Sequence, residues 1–415
     1  MTRRLLVDGR LLDGSRVDIV VSEGVVVASA PRLGVEPDDD IVDLRGGLVL
    51  PAMVEPHAHL DKALTADRVP NLTGDLNGAI EAWIAAAGRG EFGVDEMTER
   101  AVRALEKLAF SGVTLVRTHV NVGVGDPEFV NLRAVRAAAD QMAGLVDVQL
   151  VALMHSPLAG DDGRENRRLL SGALEIGVDL VGGCPHLEPD GVGMIDTVIA
   201  AANEAGIGLD LHVDETLDAS VSTLSDLARR VRDSGFDGRV NASHCVSLSV
   251  QPIETQLRVA REVAEADVSI VTLPQTNLFL QGWGHDVAMP RGITPIDVLR
   301  EAGVVVAAGA DNVQDPFNPV GRSDPLETAA LLVMAAHQIP DNAFEMVSDD
   351  ARRVLGEARA GVAIGDRADL VVFEATTLRE VLADAPATRR VFRRGVEVAV
   401  TTTTRRLVRP SADRD

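Results

Sequence analysis

The middle of the chain alternates between two hydrophobic rhythms. Near-continuous apolar, β-branched runs lie at 47–55, 113–120, 146–155, 178–186, 208–215, 239–245, 268–276 and 304–311. Between most of them, apolar positions fall at helical spacing, as over 98–110, 128–143, 164–176, 195–205, 223–233, 253–265 and 295–302. Apolar runs without polar alternation suit strands buried on both faces, as in a parallel sheet covered by helices. Eight strand–helix repeats predict an α/β fold, a (β/α)8 TIM-like barrel rather than an open doubly wound sheet. No glycine-rich phosphate loop follows the first run, which counts against a Rossmann domain.

The two ends follow a different pattern. The first 50 residues read as short strands broken by Asp-Gly, Asp-Gly-Ser and Glu-Gly turns, and strand-like runs return at 368–375 and 388–402. One small β-sandwich domain built from both termini, residues 1–48 and 360–403, is therefore expected beside a barrel over 49–359. The polar residues 404–415 are expected to form a disordered tail.

Composition narrows the function. The 415 residues carry Asp+Glu 63 against Lys+Arg 40, a net charge of -23. Such a surface repels nucleic acid and anionic membranes, so neither is an expected partner. The apolar stretches are too short to span a bilayer, and the start lacks the apolar core and cleavage site of a secretory signal. Two cysteines, Cys184 and Cys245, make neither a disulfide framework nor a Cys-x-x-Cys zinc site, which points to the cytoplasm. They also exclude the zinc deaminases that need a Pro-Cys-x-x-Cys signature.

In a barrel enzyme, chemistry gathers at the C-terminal ends of the strands. Seven of the nine histidines, at 57, 59, 119, 155, 186, 212 and 244, fall at or just past a predicted strand end. His57 and His59 (EPHAHLDK) sit two residues apart on a strand, so both rings share a face. With His212 (LDLHVDE) and Asp311 (AAGADN) at later strand ends, they make a ligand set for one Zn2+ or Fe2+. Such an ion makes water a nucleophile near neutral pH. Glu215, three residues beyond His212, is placed to move that water's proton, whereas Asp214 is expected to be a solvated loop acid. His244 (NASHC) is positioned to polarise a substrate carbonyl or orient the attacking water. His155 (VALMHSP) is expected to face substrate. His119 and His186 fit supporting roles equally well, and His285 and His337 read as ordinary. The chain has only two lysines, Lys62 and Lys107, neither on the fourth strand, so the carboxylated-lysine bridge of two-metal barrels is missing and one metal is expected.

The ordered phrases VEPHAHLDKA, VRTHVNV, VDVQLVA, GGCPHLE, HVDE, SHC, LQGWG…PRGIT and DNVQDPFNPVG resemble the amidohydrolase superfamily over about 45–325. The closer match is the branch that holds the bacterial cytosine deaminases and the triazine aminohydrolases. The resemblance implies a mononuclear metal on His57, His59, His212 and Asp311, Glu215 as proton shuttle, and His244 beside the attacking water. It implies hydrolytic deamination of a small nitrogen heterocycle (an aminopyrimidine, aminotriazine or related cyclic amidine), with hydroxide attacking a ring carbon and ammonia or an amine leaving. It also implies substrate contacts from His155, Asn312, Phe317 and Gln281. His155 stands where cytosine deaminases carry a glutamine, and Asn312 where they carry a second aspartate. Histidine presents its donor and acceptor at a different spacing, and Asn312 carries no charge, so cytosine is expected to be a poor substrate. Two alternatives stay open: a hydantoinase-like cyclic amidase on the same fold, and a catalytically silent binding protein. The partner expected is a small heterocyclic molecule, with homo-oligomer formation left open.

Overall fold

The computed structural model describes residues 3–408. Eight parallel strands pair in chain order into one sheet: Met53–Ala58, Val113–Val122, Asp147–Met154, Leu180–Gly183, Gly208–Val213, Val240–His244, Val268–Thr272 and Val306–Ala308. The eighth returns to the first through a parallel bridge between Ala58 and Asp311 and a hydrogen bond of 3.0 Å from Asp311 N to His57 O, closing the barrel. All ten residues of Val113–Val122 are buried, which explains the missing polar alternation. Helices Val94–Phe110, Val130–Gln141, Arg164–Ile176, Gly191–Ala205, Thr223–Ser234, Ile253–Glu265 and Ile296–Glu301 cover the outside, and their apolar faces merge with the strands into one core.

The terminal strands form a second, mixed sheet of eight: Arg4–Arg10, Arg16–Ser22, Val25–Ala30, Asp40–Asp43, Leu48–Pro51, Leu370–Phe373, Arg389–Arg393 and Val396–Thr401. It encloses its own core of Leu6, Ile19, Val26, Val49, Leu370 and Phe392, among others. The hairpin turns around Gly24 and Gly395 lie close together, with Gly24 packed on Arg394 and Gly395 on Val21; a Cβ at either glycine would come within 2.8 Å of that neighbour. Thr402–Val408 is exposed and has no helix or strand, and the rest of the expected tail lies outside the described residues.

Several boundaries differ from the sequence reading. The run at 47–55 is two strands in two sheets, Leu48–Pro51 and Met53–Ala58, because unbroken apolarity conceals where the chain changes layer. The seventh strand stops at Thr272, where Pro274 opens the helix Pro274–Leu280; the fourth stops at Gly183 before the short turn Pro185–Leu187. The helix Leu76–Gly88 had no counterpart in that reading, although Asp75 caps it and Leu76, Ile80, Trp83 and Ile84 repeat at helical spacing. Among the described residues, no helix is long and apolar enough to cross a membrane.

Candidate active site

The strand ends bring the metal-type side chains together. His57 Nε2 and His59 Nε2 each lie 3.1 Å from His212 Nε2, and 3.6 and 3.2 Å from Asp311 Oδ1. All four residues are buried. Two overlapping triads, His57–His59–Asp311 and His57–His119–His212, each bring one donor atom per residue within 4.8 Å of the others. Ligands held about 2.0–2.1 Å from a tetrahedral ion are roughly 3.3 Å apart, close to the spacing here.

Hydrogen bonds on the far sides of the rings decide which nitrogens carry protons. His59 Nδ1 is 3.1 Å from the His119 carbonyl, an obligate acceptor, so the proton sits on Nδ1 and Nε2 keeps its lone pair. His57 Nδ1 is 2.8 Å from Ser243 Oγ, and Ser243 donates onward to Asp210 Oδ1 at 3.4 Å, leaving His57 Nε2 bare as well. Burial holds His57 and His212 well below the usual imidazole range and His59 at about 3, so all three rings are neutral at pH 7. Asp311 Oδ1, also buried, has no hydrogen-bond partner. Converging lone pairs beside an unpartnered carboxylate oxygen repel one another unless a cation lies between them, and this donor set fits a divalent ion.

Next to this cluster is a cavity of about 270 Å³. Glu215, His244, His155, Asn312 and Phe317 all line it, together with His59, His212 and Asp311. Glu215 Oε1 lies 3.5 Å from His244 Nδ1, and His244 Nε2 lies 4.0 Å from Asp311 Oδ2. Burial, reinforced by Asp311, pushes the Glu215 carboxyl well above its usual range; burial also lowers His244 to about 4. Gln281 is not among the lining side chains. Its Nε2 donates to the Glu215 carbonyl at 3.2 Å, so it supports the loop that carries Glu215.

Asn312 differs in one respect from its expected role. Its amide donates one hydrogen to Asp315 Oδ2 at 2.8 Å, so the oxygen and at most one N–H are left for the cavity. Asp315 also accepts from Phe317 N at 2.8 Å and thereby fixes the loop carrying the Phe317 ring. Asp214 is not a solvated acid. It is buried and accepts from Thr223 N, Thr223 Oγ1 and Leu224 N, tying down the start of the helix Thr223–Ser234. His119 stacks on His57 at 3.9 Å behind the cluster, and His186 meets the His212 carbonyl at 3.2 Å; neither lines the cavity. His285 and His337 are exposed.

Backbone strain gathers at the same strand ends. Asp214, His244 and Asp311 have φ of 51°, 69° and 66°, a region uncommon for residues other than glycine. The bonds of Asp311 N to His57 O and of Thr294 Oγ1 to His244 O, 3.0 and 2.6 Å, hold two of them. Sequence reasoning missed the other walls. Lys62 and Asn121 contribute polar atoms, Leu76, Ile80, Trp83 and Ile84 form an apolar face, and Cys184 lines the fourth-strand side. The helical spacing of 76–84 was a usable signal for that face; Asn121 carried none.

Comparison with known proteins places this geometry in context. Residues 93–402 match the amidohydrolase family. The chain is 32% identical over 385 residues to the pterin deaminase of Rhizobium rhizogenes, covering 92% of this chain and 87% of that protein. A 5-methylcytosine deaminase from Klebsiella pneumoniae, liganded with 5-fluorocytosine, matches with a TM-score of 0.88 at 26% identity, covering 99% of this chain and 100% of that one. The N-isopropylammelide isopropylaminohydrolase of Burkholderia multivorans matches with a TM-score of 0.83 at 29% identity, covering 97% and 99%. With its closed barrel, second sheet and strand-end histidines, the chain belongs to the amidohydrolase family.

Proposed function

We propose that this protein is a metal-dependent hydrolytic deaminase of a small amino-substituted nitrogen heterocycle, releasing ammonia or an amine. The observation that carries the reading is the convergence of three neutral imidazoles and the Asp311 oxygen beside Glu215, at the edge of a cavity. His57, His59, His212 and Asp311 hold one ion, Zn2+ or Fe2+. When bound, that ion supplies the Lewis acidity that lowers the pKa of water toward neutrality. Glu215 takes one proton from the attacking water and gives it to a ring nitrogen, then carries the second proton of that water to the leaving amine. His244 lies on the same side as Glu215 and hydrogen-bonds the group that becomes tetrahedral. Leu76, Ile80 and Trp83 cover the face of a planar ring, while Phe317, His155 and Asn312 bound its edges. Relatives named for deaminating pterin and 5-methylcytosine support the amino-heterocycle reading over ring opening.

The test is a panel of amino-pyrimidines, amino-triazines and amino-pteridines offered to Zn2+- and Fe2+-loaded protein. Ammonia or amine release without a new carboxylate supports deamination; a new carboxylate identifies a cyclic amidase instead. Cytosine is expected among the poorer members, because the imidazole of His155 cannot reproduce an amide's paired donor and acceptor.

A further inference from the structure

Lys62 is one of two lysines in the chain, and it is buried at the wall of the cavity. Only 5% of its side chain is exposed. Its Nζ donates to Asn121 Oδ1 at 3.0 Å and lies 3.5 Å from Asp61 Oδ1. It also approaches His59 Nδ1 at 3.1 Å, but that nitrogen already carries the proton directed at the His119 carbonyl and has no lone pair to offer. The ammonium group therefore has more hydrogens than protein acceptors. Asn121, with its oxygen engaged by Lys62, presents its NH2 as the group free for the cavity. Asn121 is itself fixed by a bond of 3.1 Å from its backbone N to Asp61 Oδ2. Two donors thus lie on one side of the cavity, an imidazole's width from the metal cluster. The carboxyl of Glu215 lines the same cavity, whose surface is mainly apolar.

A buried cation with an unused donor needs an acceptor, and so close to a metal site it favours one that bears negative charge. We infer that Lys62, assisted by Asn121, is a specificity-determining residue that binds a ring oxygen of the substrate, so that the preferred heterocycle carries an oxo group (a lactam carbonyl or its anion) besides the amine that is removed. The inference rests on the deaminase reading. His155, whose imidazole is held below its usual range by burial and next by the Lys62 charge, stays neutral and adds no competing cation.

The experiment compares paired rings that differ at the oxygen, cytosine against 4-aminopyrimidine and pterin against 2,4-diaminopteridine. For each, kcat and KM (or an inhibition constant where there is no turnover) are measured on metal-loaded wild type, Lys62→Met and Lys62→Arg, with metal content measured in parallel. Wild type is expected to favour the oxo ring by about tenfold or more, the size of a hydrogen bond to a charged group. Lys62→Met should bring the pair near parity, mainly through KM and with full metal content, and Lys62→Arg should retain part of the preference. Turnover with an unchanged preference in Lys62→Met overturns the role of Lys62 and leaves the deaminase reading intact. Loss of metal from Lys62→Met also overturns it, making the lysine a support for His59. If wild type deaminates no ring of the panel, the deaminase reading fails and the inference fails with it.

Discussion

Asp214 and Glu215 are neighbours in sequence with opposite environments. The carboxylate of Asp214 is taken up by three donors at the start of a helix, whereas that of Glu215 faces the cavity and His244. The proposed proton-moving role therefore fits Glu215 and not Asp214. Glu215→Gln should bind the metal and unfold at the wild-type temperature while kcat falls about 10²–10⁴-fold, the usual contribution of a general acid–base group. Steady-state kinetics with metal analysis checks this, and near wild-type kcat would assign the proton to another group. At this scale the histidines were legible because each stands next to a strand signal. The burial of Asp214 was not, since it depends on Thr223 and Leu224 reaching back across the loop. The engagement of the Asn312 amide by Asp315 was hidden for the same reason.

Among the elements, the eight buried strands were readable from their unbroken apolar character, and their C-terminal ends located the candidate site. The helix Leu76–Gly88 was missed, yet it forms one face of the cavity through Leu76, Ile80 and Trp83. Its start depends on Asp75, whose side chain accepts from Gly78 N at 2.8 Å. Losing such a cap costs about 0.5–2 kcal/mol, felt here by a peripheral helix rather than by the barrel. Asp75→Ala should therefore speed amide exchange in 76–88 and raise KM, with little change in the global unfolding midpoint. Exchange mass spectrometry together with kinetics reads both effects; a large drop in the midpoint with unchanged KM would show that the helix belongs to the core and not to substrate binding. The split of the first apolar run between two sheets was invisible for a different reason: both halves are equally buried, so hydrophobicity does not change at Ala52.

Across the whole molecule, the terminal sheet is fastened to the barrel by buried charge. Arg389 donates to both oxygens of Asp324 at 2.9 and 2.6 Å and to the Ser111 carbonyl at 2.6 Å, while Asp324 also caps the helix Pro325–Ala335 through Leu326 N. Asp324 is partly exposed and keeps its bond from Leu326 N, so removing Arg389 costs less than in a fully buried pair, about 1.5–3 kcal/mol, the size of hydrogen bonds to a charged group. Arg389→Leu should lower the urea midpoint by a stability loss of that order, and Arg389→Leu with Asp324→Asn should recover part of it; a loss under about 1 kcal/mol would mean that the pair behaves as an exposed surface bridge. Long-range pairs of this kind leave no local sequence pattern, although the strand-rich ends of the chain already indicated that the termini meet. One divalent ion, held by His57, His59, His212 and Asp311, is proposed to make this barrel a deaminase. The most direct test is to strip the protein with a chelator, return Zn2+ or Fe2+ in measured steps, and follow ammonia release from the best ring of the panel against bound metal. The expected curve starts at zero, rises linearly and levels at one ion per chain. Activity in the stripped protein, or a plateau at two ions, would contradict it.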